Sequence, residues 1–203
     1  RFDPSRVLED GYTPDVFVDG PLVEALRHGS LLYVEELNRV PEETVNLLIT
    51  VMSEGELTLP RLGTISAADG FRLVAAMNPF DNLGTARVSG AVYDRMCRIA
   101  MGYQSLDDES DIVVRNTSED DRVLRRRAVA VTRGTRNHPD VRVGSSVRGA
   151  IDLVEVGHAL ASMRSAQVTD PSVGLDAALT ALSGRIRLHE GGSSTPESGI
   201  TDL

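Results

Sequence analysis

The chain has 203 residues, of which 41% are hydrophobic and 25% are charged, which is enough for one full core plus a smaller second unit. Its formal net charge of −9 argues against binding to a nucleic-acid backbone. It has no apolar run of about 18 residues that could span a membrane. Cys97 is the single cysteine, which excludes an internal disulfide framework and favours the reducing cytoplasm. All 21 basic residues are arginine.

The first half of the chain predicts strands that alternate with helices. Pro21 at a first helical position and Gly29 at the stop predict a helix over residues 21–28. The apolar run Leu31–Val34 predicts a strand buried on both faces. Apolar spacing and turn residues predict five more elements: a helix over 42–54, a hairpin of 56–59 and 63–66, a second buried strand over 71–77, a helix over 91–96 and a short strand over 99–101. This alternation indicates a parallel sheet.

The second half of the chain differs in composition and in its predicted elements. Acids are dense at residues 107–118, which predicts a linker, and helical patterns follow over 119–134, 146–164 and 172–187. The predicted organisation is a partial α/β core with a hairpin insert over 1–106, an acidic linker over 107–118, and a helical domain with a loose tail over 119–203. Two or three strands are too few for an independent doubly wound sheet. Because the chain also starts at Arg1 rather than Met, we expect preceding sequence to be missing.

Two adjacent carboxylates, Glu35 and Glu36, follow the first buried strand. Ligands of open parallel sheets bind at the carboxyl ends of the strands. Side chains alternate along a strand, so the two carboxylates would point in different directions, one toward a magnesium ion and the other toward an attacking water. By itself this pair also fits a solvated acidic strand end.

Four ordered blocks carry a family resemblance. Leu31–Pro41, an apolar strand followed by Glu-Glu-Leu-Asn-Arg and a proline-led helix, resembles the Walker B block of MoxR-type AAA+ ATPases. Residues 72–79, Arg-Leu-Val-Ala-Ala-Met-Asn-Pro, are similar to the sensor-1 strand, residues 89–95 to the Asp-Arg helix, and residues 138–148 to the lid segment of that family. The resemblance spans residues 17–165. It implies a partial AAA+ parallel-sheet core, with Walker B and sensor-1 strands, followed by an all-helical lid.

The resemblance assigns roles residue by residue. Glu35 would support Mg²⁺, Glu36 would orient the attacking water, and Asn78 would be the sensor-1 amide that holds this water or the terminal phosphate. Three arginines complete the set: Arg95 as the finger that reaches a neighbouring subunit, Arg98 as its competitor, and Arg148 as the sensor-2 cation. The chain departs from the family pattern at Glu35, where Asp is usual, and at residues 89–90, where Ser-Gly replaces Pro-Glu.

The activity implied by the resemblance is ATP hydrolysis with Mg²⁺ by a homo-oligomeric ring, usually a hexamer, which remodels partner proteins such as those with von Willebrand A domains. The hairpin at 56–70 is the candidate client contact. However, the phosphate-binding pattern Gly-x-x-x-x-Gly-Lys-Ser/Thr does not occur in these 203 residues, which contain no lysine. We therefore expect the chain alone to be inactive. The alternative is an AAA+-like interaction module that does not hydrolyse ATP; relatives that insert magnesium into porphyrins, reactivate rubisco or build gas vesicles also stay open.

Overall fold

The computed structural model describes residues 2–78, 89–117, 120–191 and 194–203. The chain divides into two compact units, Arg1–Ala100 and Met101–Leu203. Their architecture is mixed α/β, with one parallel strand pair and helices in both units.

The first unit contains helices, a parallel strand pair and a hairpin. Its elements in chain order are α1 (Pro4–Asp10), α2 (Pro21–His28), β1 (Leu31–Val34), α3 (Glu42–Glu54), β2 (Glu56–Leu59), β3 (Gly63–Ser66), β4 (Arg72–Ala75) and α4 (Gly90–Tyr93), with short 3₁₀ turns at Pro14–Val16 and Leu37–Arg39. The predicted bounds of α2, β1, α3 and the hairpin are confirmed. The second strand is shorter than predicted, and the helix predicted over 91–96 is a single turn.

Glycine closes α2 in a way that another residue could not. Gly29 adopts φ 61° directly after the helix, a left-handed conformation that costs other residues energy. A Cβ at this position would lie 2.1 Å from the carbonyl oxygen of Asp69. The chain can therefore turn from α2 into β1 only because position 29 has no side chain.

The parallel pair β1–β4 is buried on one face only. Its register runs from Leu31 opposite Arg72 to Val34 opposite Ala75. Leu32 and Val34 pack against a core of Leu37, Leu48 and Val92, whereas Leu31 and Tyr33 are 62% and 54% exposed. The prediction of a strand buried on both faces is thus wrong for this structure, because successive side chains of a strand point to opposite faces and only one face is covered here.

The hairpin is anchored by its apolar face. Leu57 and Ile65 face each other across β2 and β3 and are buried in a core with Val23, Leu26 and Val51. On the opposite face the hydroxyls of Thr58 and Thr64 lie 3.0 Å apart and are exposed. The alternation of the two strands therefore gives the hairpin one fixed face and one free face.

The second unit is mainly helical. Its elements are α5 (Leu106–Asn116), α6 (Arg122–Asn137), β5 (Val141–Val143), α7 (Val147–Arg164), α8 (Pro171–Leu182), β6 (Arg187–Leu188) and α9 (Pro196–Thr201). The core is formed by apolar side chains from α5 to α9, among them Val113, Val129, Val154, Leu182 and Ile200. Asp170 caps α8, and hydrogen bonds from the Ser172 hydroxyl and amide hold the pKa of this carboxyl below its ordinary value.

Several predictions for this half are corrected by the structure. Most of the stretch expected as an acidic linker, 107–118, forms α5, because Ser105 accepts a hydrogen bond from the Asp108 amide as an N-cap and Val113 is fully buried. The predicted strand over 99–101 is absent from the described residues, and Ile99 is 83% exposed. The part of the chain that the sequence predicts to be all-helical also contains the antiparallel pair β5–β6.

Part of the tail that its composition predicts to be loose forms a helix, α9. A capping box between Thr195 and Ser198 starts α9, and Ile200 is buried against the core. Throughout the described ranges, no helix combines the length and the apolar character needed to cross a bilayer.

We expect Leu182→Ala to lower the free energy of unfolding of the second unit by about 2–5 kcal/mol, because this side chain is fully buried and its removal leaves a cavity. Leu175→Ala, on the same helix but 43% exposed, should cost about 1 kcal/mol or less. Urea denaturation followed by circular dichroism measures both. Equal losses for the two variants would contradict the assigned core.

Candidate functional site

The carboxyl ends of β1 and β4 meet at the same edge of the sheet. Beyond the last paired residues, the Ala76 amide donates to the Val34 carbonyl at 2.9 Å, and the Leu37 amide donates to the Ala76 carbonyl at 3.0 Å. These two hydrogen bonds hold the segment after β1 against the segment after β4. Glu35, Glu36 and Asn78, which belong to these segments, are therefore brought to one edge.

The chain turns sharply between the two carboxylates. β1 ends at Val34, so strand alternation does not set the directions of Glu35 and Glu36. Instead Glu36 adopts φ 54° and ψ 48°, a left-handed conformation that costs a residue with a side chain about 1–2 kcal/mol. Both glutamates are exposed. Such strain persists where the surrounding structure enforces it, and it clusters at functional sites.

Glu36 has an ion-pair partner three residues along the chain. The Arg39 Nε lies 2.7 Å from the Glu36 Oε2, and the two side chains are 57% and 54% exposed. A pair this exposed contributes at most about 1 kcal/mol. The carboxylate therefore remains within reach of solvent and of a ligand.

Asn38, which follows β1, contacts the segment that follows β4. It is buried, and its Nδ2 lies 3.5 Å from the backbone carbonyl of Asn78. Among the described residues its Oδ1 has no hydrogen-bond partner. Asn38 stands in the Asn-Arg dipeptide of the first block, which by itself assigns it no role. Only the structure shows that it contacts the segment after β4. Asn78 itself is exposed, and Pro79 lies outside the described residues.

The arginine predicted as a finger is engaged elsewhere in the first unit. The Arg95 Nε donates to the Ser53 Oγ at 2.5 Å, and its Nη1 donates to the Ala91 carbonyl at 2.9 Å. The side chain thus rests on the last turn of α3, whereas Glu36 pairs with Arg39. Arg98, the competing candidate, is exposed.

Arg148 belongs to the second unit. It lies in the first turn of α7 and is exposed. The structure thus groups Glu35, Glu36 and Asn78, gives Arg95 a different partner within the same unit, and places Arg148 on a helix of the other unit. A cleft of about 310 Å³ between α5 and α6 contains none of these five residues.

The predicted metal role rests on a sparse donor set. Across the described ranges, no cluster of three or more His, Cys, Asp or Glu side chains has the arrangement of a metal site. Magnesium at phosphates is commonly held by one or two carboxylates together with phosphate oxygens and waters. The exposed carboxylate of Glu35, at an edge where two strands end, fits that kind of site.

We expect the left-handed conformation of Glu36 to affect the free energy of unfolding of the protein. Glu36→Gly should leave the free energy of unfolding unchanged or raise it by up to about 1 kcal/mol, because relief of strain exceeds the added flexibility of the unfolded chain. The matched control Glu35→Gly should lower it by about 0.5–1 kcal/mol, since Glu35 has no positive φ to relieve. Urea denaturation measures both variants. A larger loss in the free energy of unfolding for Glu36→Gly than for Glu35→Gly would contradict the left-handed conformation of Glu36.

Most of the first unit is similar to one known protein family. Residues 5–96 match the family model described as "AAA domain (dynein-related subfamily)". This match includes Glu35, Glu36, Asn78 and Arg95, and it stops before Arg98.

Curated relatives extend beyond this region. The chain is 28% identical to an uncharacterized protein of Staphylococcus saprophyticus over 83% of this chain and 66% of that protein. It is 32% identical to an uncharacterized protein of Staphylococcus haemolyticus over 61% of this chain and 48% of that protein, and 28% identical to the uncharacterized protein YeaC of Bacillus subtilis over 77% and 54%. The chain thus spans between about half and two thirds of the length of these relatives.

A solved structure described as a candidate ATPase from Cytophaga hutchinsonii is 20% identical and aligns with 85% of this chain and 64% of that one, at a TM-score of 0.37. The region that the family model matches includes β1, β4 and the two carboxylates that follow β1. Residues 5–96 of the chain are thus similar to an AAA domain of the dynein-related subfamily, and the predicted α/β fold class is confirmed.

Proposed function

We propose that the chain is part of a MoxR-type AAA+ ATPase that couples ATP hydrolysis to the remodelling of a partner protein. The observation that carries this proposal is the shared edge of β1 and β4, where backbone hydrogen bonds of Val34, Leu37 and Ala76 hold together the two segments that contain Glu35, Glu36 and Asn78. These residues lie within the match to the AAA domain. The exposed Cys97 is compatible with work in the reducing cytoplasm.

The two carboxylates divide the chemistry between them. Bound Mg²⁺ supplies neutralisation of the phosphate charge during transfer. Glu35 would hold it through water; its side chain is one methylene longer than the usual Asp, so the carboxylate oxygens reach about 1–1.5 Å further. Glu36 would accept a hydrogen bond from the attacking water and orient it, and Asn78 would hold the same water or the terminal phosphate.

The arginines make assembly part of the mechanism. Arg95 would serve the site of a neighbouring subunit in a ring, for which a hexamer is the expected form. In this chain it must first leave the Ser53 hydroxyl and the Ala91 carbonyl, and each exposed hydrogen bond that is lost costs only about 0.5–1.5 kcal/mol. Arg98 is the competing finger. Arg148 would place a forked cation on the phosphates.

The hairpin β2–β3 is the proposed contact for a client protein, possible clients being proteins with von Willebrand A domains. Its buried residues Leu57 and Ile65 anchor it to the first unit, while Thr58 and Thr64 present a free polar face. A partner could therefore bind this face without disturbing the core.

A second function, an AAA+-like interaction module without hydrolysis, is favoured by one observation. The 203 residues contain neither a lysine nor the phosphate-binding pattern that ATP binding in this family requires. The two functions differ in whether the complete gene product that contains this chain binds and hydrolyses ATP.

We expect Glu36→Gln to reduce kcat for ATP by about 100-fold or more in the complete gene product, because a positioned base contributes roughly 10²–10⁴. Nucleotide affinity should stay within about threefold, since the amide keeps the size of the side chain. Glu43→Gln, an exposed carboxylate in the first turn of α3, is the matched control and should keep full turnover. The 203-residue chain alone should show no turnover of ATP. Turnover by this chain that Glu36→Gln abolishes would contradict the prediction that the chain alone is inactive.

We expect the double change Thr58→Glu and Thr64→Glu to abolish client remodelling while ATPase activity stays near that of the unaltered protein, because only the exposed face of the hairpin changes. Thr50→Glu, an exposed position on α3, controls for added charge. The measurement compares ATPase turnover with client activation in the same preparations. Parallel loss of both activities would refute the client role of this face.

A further inference from the structure

A buried carboxylate in the second unit plays no part in the proposed hydrolysis. Glu109 on α5 is 1% exposed. The Arg133 Nη1 lies 2.9 Å from its Oε2, and the Arg136 Nη2 lies 2.7 Å from its Oε1. Buried ion pairs add little net stability over an apolar packing of the same volume, but they hold their partners in one geometry. Glu109 thus faces two arginines of α6, and the position of each guanidinium depends on it.

Arg136 reaches the segment that precedes α7. Its Nε donates to the Ser145 carbonyl at 2.7 Å. Its guanidinium stacks 3.8 Å from the ring of Tyr103, whose hydroxyl donates to the Gly144 carbonyl at 3.4 Å. A Cβ on Gly144 would lie 2.7 Å from Arg136. The arginine therefore packs directly against the backbone of residues 144–145.

A second set of contacts fixes the same segment. The Ser145 amide donates to the buried Thr135 hydroxyl at 2.9 Å, and Ser145 is itself buried. A Cβ on Gly149 would lie within 2.5 Å of the Ser145 Oγ, so the first turn of α7 packs closely against this serine. Arg148 stands in that turn, three residues after Ser145, and is exposed.

We propose that Arg136 is a positioning residue for Arg148: oriented by Glu109, it holds the Ser145 carbonyl and thereby sets the start of α7 from which Arg148 projects toward nucleotide phosphates. This inference rests on the proposed ATPase function. Tyr103 belongs to the segment that follows the first unit along the chain. Its stack on Arg136 therefore links that segment to the loop that precedes α7, the helix that carries Arg148.

The chain offers a matched control for this ion pair. Arg126, on the same helix α6, lies 2.6 Å from Asp107 of α5, with side chains 44% and 78% exposed. It joins the same two helices as Arg136 and Glu109. Arg126→Lys thus tests the effect of altering an α5–α6 ion pair without touching the Ser145 loop.

The experiment is a double-mutant cycle in the complete gene product, with KM and kcat for ATP as readouts. Arg136→Lys keeps the charge but loses the fork that serves Glu109 and Ser145 together, and it should raise KM by about threefold or more. In an Arg148→Ala background the same change should have no further effect, because Arg136 acts through Arg148. Arg126→Lys should leave KM unchanged. An unaltered KM in Arg136→Lys, or additive effects in the double variant, would overturn the proposal.

Two further measurements separate the possible failures. Hydrogen exchange of the amides at 144–149 should accelerate in Arg136→Lys while α8 stays protected. If α8 also loses protection, Tyr103→Leu, which removes an exposed ring from Arg136, is judged by the same KM criteria. Turnover that survives Glu36→Gln would refute the proposed hydrolytic function, whereas loss of turnover in Glu36→Gln with a normal KM in Arg136→Lys would refute only the positioning role.

Discussion

Parallel pairing of β1 with β4 is the constraint on which the site depends. Two parallel strands must end at the same edge, so the residues that follow them become neighbours although they are about 40 positions apart along the chain. The pairing extends past the strands through the hydrogen bond from Leu37 to Ala76. Without this register, Glu36 and Asn78 would be separate polar residues in two loops.

A buried residue, Asn38, packs under this edge, and an exposed residue with a strained backbone, Glu36, lies on it. Asn38 is buried under it and contacts the backbone of Asn78. Glu36 adopts a left-handed conformation that glycine would tolerate better. A glutamate at such a position is understandable if its carboxylate is needed there, and this agrees with its place in the AAA domain match.

In the first unit the polar candidate residues are exposed, whereas the second unit contains a polar network around the buried Glu109. Arg136 contacts a buried carboxylate, an aromatic ring and a backbone carbonyl at the same time. Gly144 permits this approach because it has no side chain. Each contact alone is modest, but all of them act on Arg136 and the loop before α7, which is why we propose that Arg136 positions the exposed Arg148 at the start of that helix.

Sequence by itself determined most local elements of the first unit, among them α2, β1, α3 and the hairpin, and the order of the motifs. Pro21 starts α2, and Gly29 and Gly55 end α2 and α3, because proline and glycine act on the backbone at their own positions. Only the tertiary structure decided burial and partnership: Leu31 and Tyr33 are apolar yet exposed, and the acidic stretch after Ser105 is a helix because Val113 finds a core. The same holds for Arg95 against Ser53 and for Glu109 beneath Arg136. These contacts join residues far apart in the chain, and no local pattern specifies which distant side chain will be opposite.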